Sequence, residues 1–131
     1  MIQLETLDHL VLTVKDLAKT VDFYTHVLGM KLIKFGAHDE RAALAFGTQK
    51  INLHVFGKEF EPKACYPTPG SADLCFLTSI PLLEVIKSLN ANHIQIEEGP
   101  VERTGAQGRI LSVYIRDPDA NLVEISNRLI V

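Results

Sequence analysis

The sequence predicts an α+β fold in which one domain is built from two copies of a βαβββ module. Three observations predict it. The chain has 131 residues, room for a single domain of ordinary size. Its apolar runs fall in the order strand, helix, three strands, and then in that order again. A stretch rich in Pro and Gly, from Pro62 to Ser71, separates the two series. Module 1 is thereby placed at about 1–60, a linker at about 61–71 and module 2 at about 72–131, with a period near 64 residues that sets His9 opposite Asp73.

Taken in order, residues 6–14 are apolar and β-branched and form the first strand. Asp16 is placed to cap a helix, Leu17, Val21, Tyr24 and Leu28 recur at helical spacing, and Gly29 stops it. Short β-rich runs follow at about 30–35, 41–46 and 50–56, parted by Gly36 to Glu40 and by Gly47-Thr48-Gln49. In the second module residues 72–78 form a strand, and Pro81 opens a helix carrying Leu82, Val85, Ile86 and Leu89 to about Asn92. Strands are expected at about 94–97, 109–116 and 121–127. Asp117-Pro118-Asp119-Ala120-Asn121 supplies the turn between the last two. The segment Thr104 to Gly108 is expected to be a mobile flap, and it lacks the lysine and spacing of a phosphate-binding loop.

Composition narrows the function. With 47% apolar and 22% charged residues the chain can bury a core. A net charge of −3 with no basic run argues against nucleic acid as a partner. The opening Met1-Ile2-Gln3-Leu4-Glu5 lacks a secretory signal, and no apolar run approaches the 18 or so residues of a membrane span, so a cytoplasmic location is expected and no membrane partner. Cys65 and Cys75 form neither a disulfide framework nor a CxxC motif.

The informative feature is four ionisable residues that interrupt apolar strands: His9, His54, Asp73 and Glu124. Strand alternation puts His9 on the face of Val11 and Thr13, with Leu10, Leu12 and Val14 pointing the other way. A carboxylate or imidazole on such a face needs a partner, water or a metal. His9 and Asp73 fall in matching first strands, while His54 and Glu124 fall in matching last strands. Two imidazoles with carboxylates suit a divalent transition metal, and a site with open positions acts as a Lewis acid. Taken singly, each of the four is also explained as a structural or solvent-facing group.

The pattern resembles the vicinal oxygen chelate superfamily, which includes glyoxalase I, fosfomycin-resistance proteins and extradiol dioxygenases. The likeness is carried by Leu7-Asp8-His9, by Asp22-Phe23-Tyr24 with Val27-Leu28-Gly29-Met30, and by Asp117-Pro118-Asp119 leading to Val123-Glu124-Ile125. A closer likeness is to the glyoxalase domain-containing protein 5 group, through Asn52-Leu53-His54, the run Gly57 to Lys63, and Arg103-Thr104-Gly105-Ala106. The resemblance implies the glyoxalase/bleomycin resistance/dihydroxybiphenyl dioxygenase fold, a mixed sheet curled around a U-shaped metal groove, and a homodimer. It implies that ligands come from the first and last strands of each module. His9 and Glu124 match those positions, Asp73 stands where histidine is usual, and at the fourth position His54 is favoured with Asn52 as its competitor.

The function so implied is that of a lyase or isomerase of the glyoxalase I (lactoylglutathione lyase) type. It would bind a divalent metal (Ni, Zn, Co, Mn or Fe) and move a proton on a small oxygen-chelating substrate such as a glutathione adduct, with Glu124 as base. Two alternatives stand beside it: an Fe(II) dioxygenase using His9, His54 and Glu124, and a resistance-type module that binds a small molecule or antibiotic without catalysis. Lys58, Lys63, Arg103 and Arg109 are the cations nominated to hold an anionic substrate, with solvated surface charge as the competing explanation.

Overall fold

A computed structural model describes residues 1–130. The chain divides into two compact units, Met1–Pro69 and Gly70 onward. Unit 1 contains β1 (His9–Val14), α1 (Leu17–Asp22), which runs on as a π-helical turn Phe23–Val27, then β2 (Lys31–Phe35), β3 (Arg41–Phe46) and β4 (Gln49–Val55). Unit 2 contains β5 (Asp73–Leu77), α2 (Leu82–Ala91), β6 (Glu98–Gly105), β7 (Gly108–Arg116) and β8 (Leu122–Arg128). Each unit is one four-stranded sheet, ordered β1-β4-β3-β2 and β5-β8-β7-β6. The order is the same in both, as duplication requires. Among the described residues no helix is long and apolar enough to cross a membrane.

In each sheet the first strand pairs parallel with the last, and the remaining pairs are antiparallel. In unit 1, Leu12, Val14, Ala42, Leu44, Ile51 and Leu53 share one face and are buried. The α1 segment adds Thr20, Phe23 and Tyr24 to that core. Asp16 caps the helix by accepting from the Lys19 N–H at 3.0 Å, and Gly29 ends it at φ +72°, a conformation L side chains rarely adopt. In unit 2, Val113, Ile115, Val123 and Ile125 form the buried face, joined by Leu82 and Leu89 of α2.

The turn after β7 does more than reverse the chain. Buried Asp117 accepts from the Asp119 and Asn121 N–H groups at 2.9 Å through Oδ1 and from Asn121 Nδ2 at 2.8 Å through Oδ2. Asn121 Oδ1 in turn accepts from the Ala72 N–H at 2.8 Å, which pins the start of β5 beside β8. Asn127 does similar work at the other end of β8: its Oδ1 accepts from the Leu82 N–H, a substitute cap for a helix whose own cap position is Pro81.

Three sequence expectations are corrected. The first strand begins at His9, not residue 6. The strand expected at 94–97 is instead β6 at Glu98–Gly105, an edge strand whose Glu, Arg, Gly and Pro content hides it from a search for apolar alternation. The expected flap is a tight hairpin, with Gly105 paired to Gly108 across Ala106-Gln107.

Gly99 offers a test of the β6 assignment. It has φ +111°, and an added Cβ would meet the Ser112 carbonyl oxygen at 2.4 Å. Gly99→Ala is expected to cost about 3 kcal/mol in a denaturant titration, against about 1 kcal/mol for Gly47→Ala, whose site is open but left-handed.

Candidate functional site

The face of each sheet opposite the apolar core carries the polar residues. In unit 1 the parallel register sets His9 beside Lys50, Val11 beside Asn52 and Thr13 beside His54. All six therefore share one face. His54 and His9 are four residue positions apart along adjacent strands, about 13 Å at 3.3 Å per residue, so the two imidazoles do not share an ion within this unit. Asn52 is the nearer neighbour, one same-face step from His9. His9 is exposed, and its Nδ1 lies 2.8 Å from the Asp8 carboxylate, leaving Nε2 as the outward donor. Asn52 and His54 are buried, and Asn52 Oδ1 and His54 Nε2 have no hydrogen-bond partner.

Unit 2 repeats the arrangement. Asp73 is in register with Leu122, and Cys75 with Glu124. Asp73 and Glu124 thus stand to each other as His9 stands to Asn52, and the counterpart of His54 is Ser126. His54 and Glu124 lie in matching last strands as expected, and of the two competitors on β4 it is Asn52 that holds the register position equivalent to Glu124. Glu124 is half-buried, and its Oε2 accepts from Ser112 Oγ at 2.6 Å; Ser126 Oγ lies 2.6 Å from that of Ser112. Cys75 Sγ sits 3.5 Å from Ser126 Oγ, and desolvation, with the nearby Glu124 and Asp73 charges, pushes its thiol above the ordinary value. Cys75 is not an activated thiolate.

The nominated cations are mostly engaged. Lys63 pairs with Glu61, Arg103 pairs with Glu98 and donates through Nε to Tyr114 Oη at 2.9 Å, and Arg109 pairs with Glu102 at 2.8 Å. Two cations that sequence reasoning passed over, Arg41 and Lys50, have no carboxylate partner among the described residues. The signal for Arg41 was available: it opens an otherwise apolar strand, Arg-Ala-Ala-Leu-Ala-Phe, in which Ala43 and Ala45 leave its face open.

Among the described residues no three of His, Cys, Asp and Glu gather into a metal cluster. The two-histidine, one-carboxylate set of the dioxygenase alternative is accordingly not assembled from His9 and His54. What each unit does present is a pair of nitrogen or oxygen donors on its first and last strands, His9 with Asn52 and Asp73 with Glu124. Imidazole, amide oxygen and carboxylate are donors that suit a borderline divalent cation, and the unsatisfied Asn52 Oδ1 is an acceptor without a donor.

Residues 6–125 match the family model of the Glyoxalase/Bleomycin resistance protein/Dioxygenase superfamily, and the chain belongs to that superfamily. It is 58% identical over 123 residues to virulence protein STM3117 of Salmonella typhimurium, covering 94% of this chain and 84% of that protein. The crystal structure of STM3117 superposes with a TM-score of 0.95, over 98% of this chain and 100% of that one. Glyoxalase domain-containing protein RDO1 of Mycosarcoma maydis is 56% identical over 126 residues, 96% of this chain and 70% of that protein. The lactoylglutathione lyase of Escherichia coli O157:H7 is 28% identical over 127 residues, 89% of this chain and 88% of that protein. At 22% identity and a TM-score of 0.64 (95% of this chain, 90% of that one), the fosfomycin resistance protein FosX of Listeria monocytogenes, solved with Mn(II) and a dihydroxypropylphosphonic acid, shares the fold.

Burial holds the His54 imidazole below its ordinary value, and the Arg41 charge acts in the same direction, against smaller opposing effects of Glu59 and Glu61. His54 is therefore neutral at pH 7. The unfolded chain takes up this proton more readily than the folded one, so stability falls as pH drops through and below about 6.5. Thermal melts between pH 7.5 and 5 are expected to show a declining midpoint, and His54→Gln is expected to remove part of that slope.

Proposed function

We propose that this chain is a divalent-metal-dependent lyase or isomerase of the glyoxalase I type. The observation that carries the reading is the repeated donor pair on the first and last strands of each unit, His9 with Asn52 and Asp73 with Glu124, in a chain of this superfamily. His9 with Asn52 in unit 1, and Asp73 with Glu124 in unit 2, are the proposed donor pairs for the metal; Asn52 replaces His54 because the register sets it next to His9. A metal held there would supply Lewis acidity toward the substrate oxygens.

Glu124 is the proposed proton acceptor. The Ser112 hydroxyl, donating at 2.6 Å, orients its carboxylate, and both Ser contacts fall on Oε2. A carboxylate so held takes a proton from one substrate carbon and returns it to the next. The 28% likeness to a lactoylglutathione lyase supports a glutathione hemithioacetal as the first substrate to assay. A homodimer and a cytoplasmic location belong to the same proposal.

The test is metal content and turnover together. Protein purified without a histidine tag is expected to carry near one equivalent of a divalent metal per chain and to turn over the methylglyoxal–glutathione hemithioacetal. Glu124→Gln is expected to lower kcat by about a hundredfold or more while leaving the melting temperature within a few degrees. Near-normal turnover in that variant would falsify the role given to Glu124. Absence of metal after reconstitution would remove the reading.

A further inference from the structure

The polar face of unit 1 carries two cations, Arg41 and Lys50, that form no ion pair among the described residues, although the Arg41 charge is felt at the neighbouring Glu40 carboxylate. By continuation of the β3–β4 register, Arg41 stands opposite His54. Its guanidinium lies over two rings, 4.4 Å from the Phe60 centroid and 5.2 Å from that of Phe35. The Lys50 ammonium lies over the same Phe35 ring, 4.1 Å from its centroid. Two cations thus rest on one aromatic residue, an arrangement that cation–π attraction favours and mutual repulsion opposes.

The carboxylates nearby are already used. Glu59 accepts from the Gly57 N–H at 2.7 Å, and Glu61 pairs with Lys63. Neither pairs with Arg41 or Lys50. Meanwhile two buried nitrogens on this face lack any partner: Arg41 Nε and His54 Nε2. His54 is 3% exposed, and its ring packs edge-on against Phe60 with centroids 5.6 Å apart, which fixes its orientation. A buried N–H without an acceptor costs about 1–3 kcal/mol, so native structures seldom leave one unless something fills the place.

We propose that Arg41, Lys50 and His54 form an oxyanion site, which takes the carboxylate or phosphoryl group of a small organic acid. The Nε edge of Arg41 offers a planar fork for two oxygens, His54 in its Nε2–H tautomer donates to one of them, and Lys50, rooted four positions before His54 on β4, adds charge through its long side chain, whose ammonium lies over Phe35. Phe35 and Phe60 lie against the guanidinium and restrict where it can move. His54 is one same-face step from Asn52 along β4, about 7 Å, so an acid held here spans toward the proposed ligand pair. The site itself does not depend on a metal.

The experiment is therefore run on the full chain in the presence of EDTA. Succinate and inorganic phosphate are titrated separately at fixed ionic strength, set with sodium chloride, while the Arg41 Nε–H and His54 ring resonances are followed by NMR. The expected result is a saturable shift of both resonances. With succinate alone it assigns a carboxylate, with phosphate alone a phosphoryl group, and with both an oxyanion of either kind. Arg41→Lys, which keeps charge but loses the fork, is expected to weaken binding by about tenfold or more, and Lys50→Gln by less; Arg109→Gln, whose partner is Glu102, is expected to leave it unchanged. Where Arg41→Lys does not fold, Lys50→Gln decides, read on the Arg41 and His54 resonances. No saturable shift with either anion, or undiminished affinity in the folded variants, would overturn the site.

Discussion

Everything functional in this chain depends on how the last strand of each unit lines up against the first. The β1–β4 and β5–β8 ladders are parallel, and neither pair is joined by a short turn that would set its register. The register is set instead by apolar residues on the opposite face and by a few side-chain ties. In unit 2 the tie is Asn121 Oδ1 accepting from the Ala72 N–H; in unit 1 it is Gln49 Nε2 donating to the Leu7 carbonyl at 2.7 Å. Both ties lie at the same end of their ladder, next to His9 and Asp73, where the proposed donor pairs stand.

Much of the fold is legible in the sequence because its signal is local. The apolar alternation of β1, β4, β7 and β8, the Asp16 cap, the Gly29 stop and the Asp117–Asn121 turn each lie within a few residues of the structure they specify. Strand β6 is not legible in this way. It is an edge strand with charged residues on a solvated face, and its pairing with β7 is a tertiary fact.

The site was legible in part, for a reason that follows from strand geometry. A one-residue slip moves every side chain to the other face, and the apolar pattern forbids it. A two-residue slip keeps every face the same. The sequence could therefore put His9, Asn52 and His54 on one face without deciding which of the last two stands next to His9; the register decides for Asn52. Arg41 and Lys50 were passed over because they sit at strand ends, where charge ordinarily means solvent. Their role rests on contacts to Phe35 and Phe60 that come from other segments. Lys63, Arg103 and Arg109, nominated for the same task, each face a carboxylate.

Unit 1's polar face divides into a donor pair at His9 and Asn52 and, one same-face step further along β4, the neighbouring Arg41 and His54, toward which Lys50 reaches from beside His9 across the Phe35 ring. X-ray absorption at the metal edge, on protein reconstituted with one equivalent of nickel or zinc, tests this division directly by counting imidazole ligands. A single imidazole is expected, retained in a His54→Ala variant and lost in His9→Ala. Two imidazoles in the parent protein, one of them lost in His54→Ala, would contradict the division.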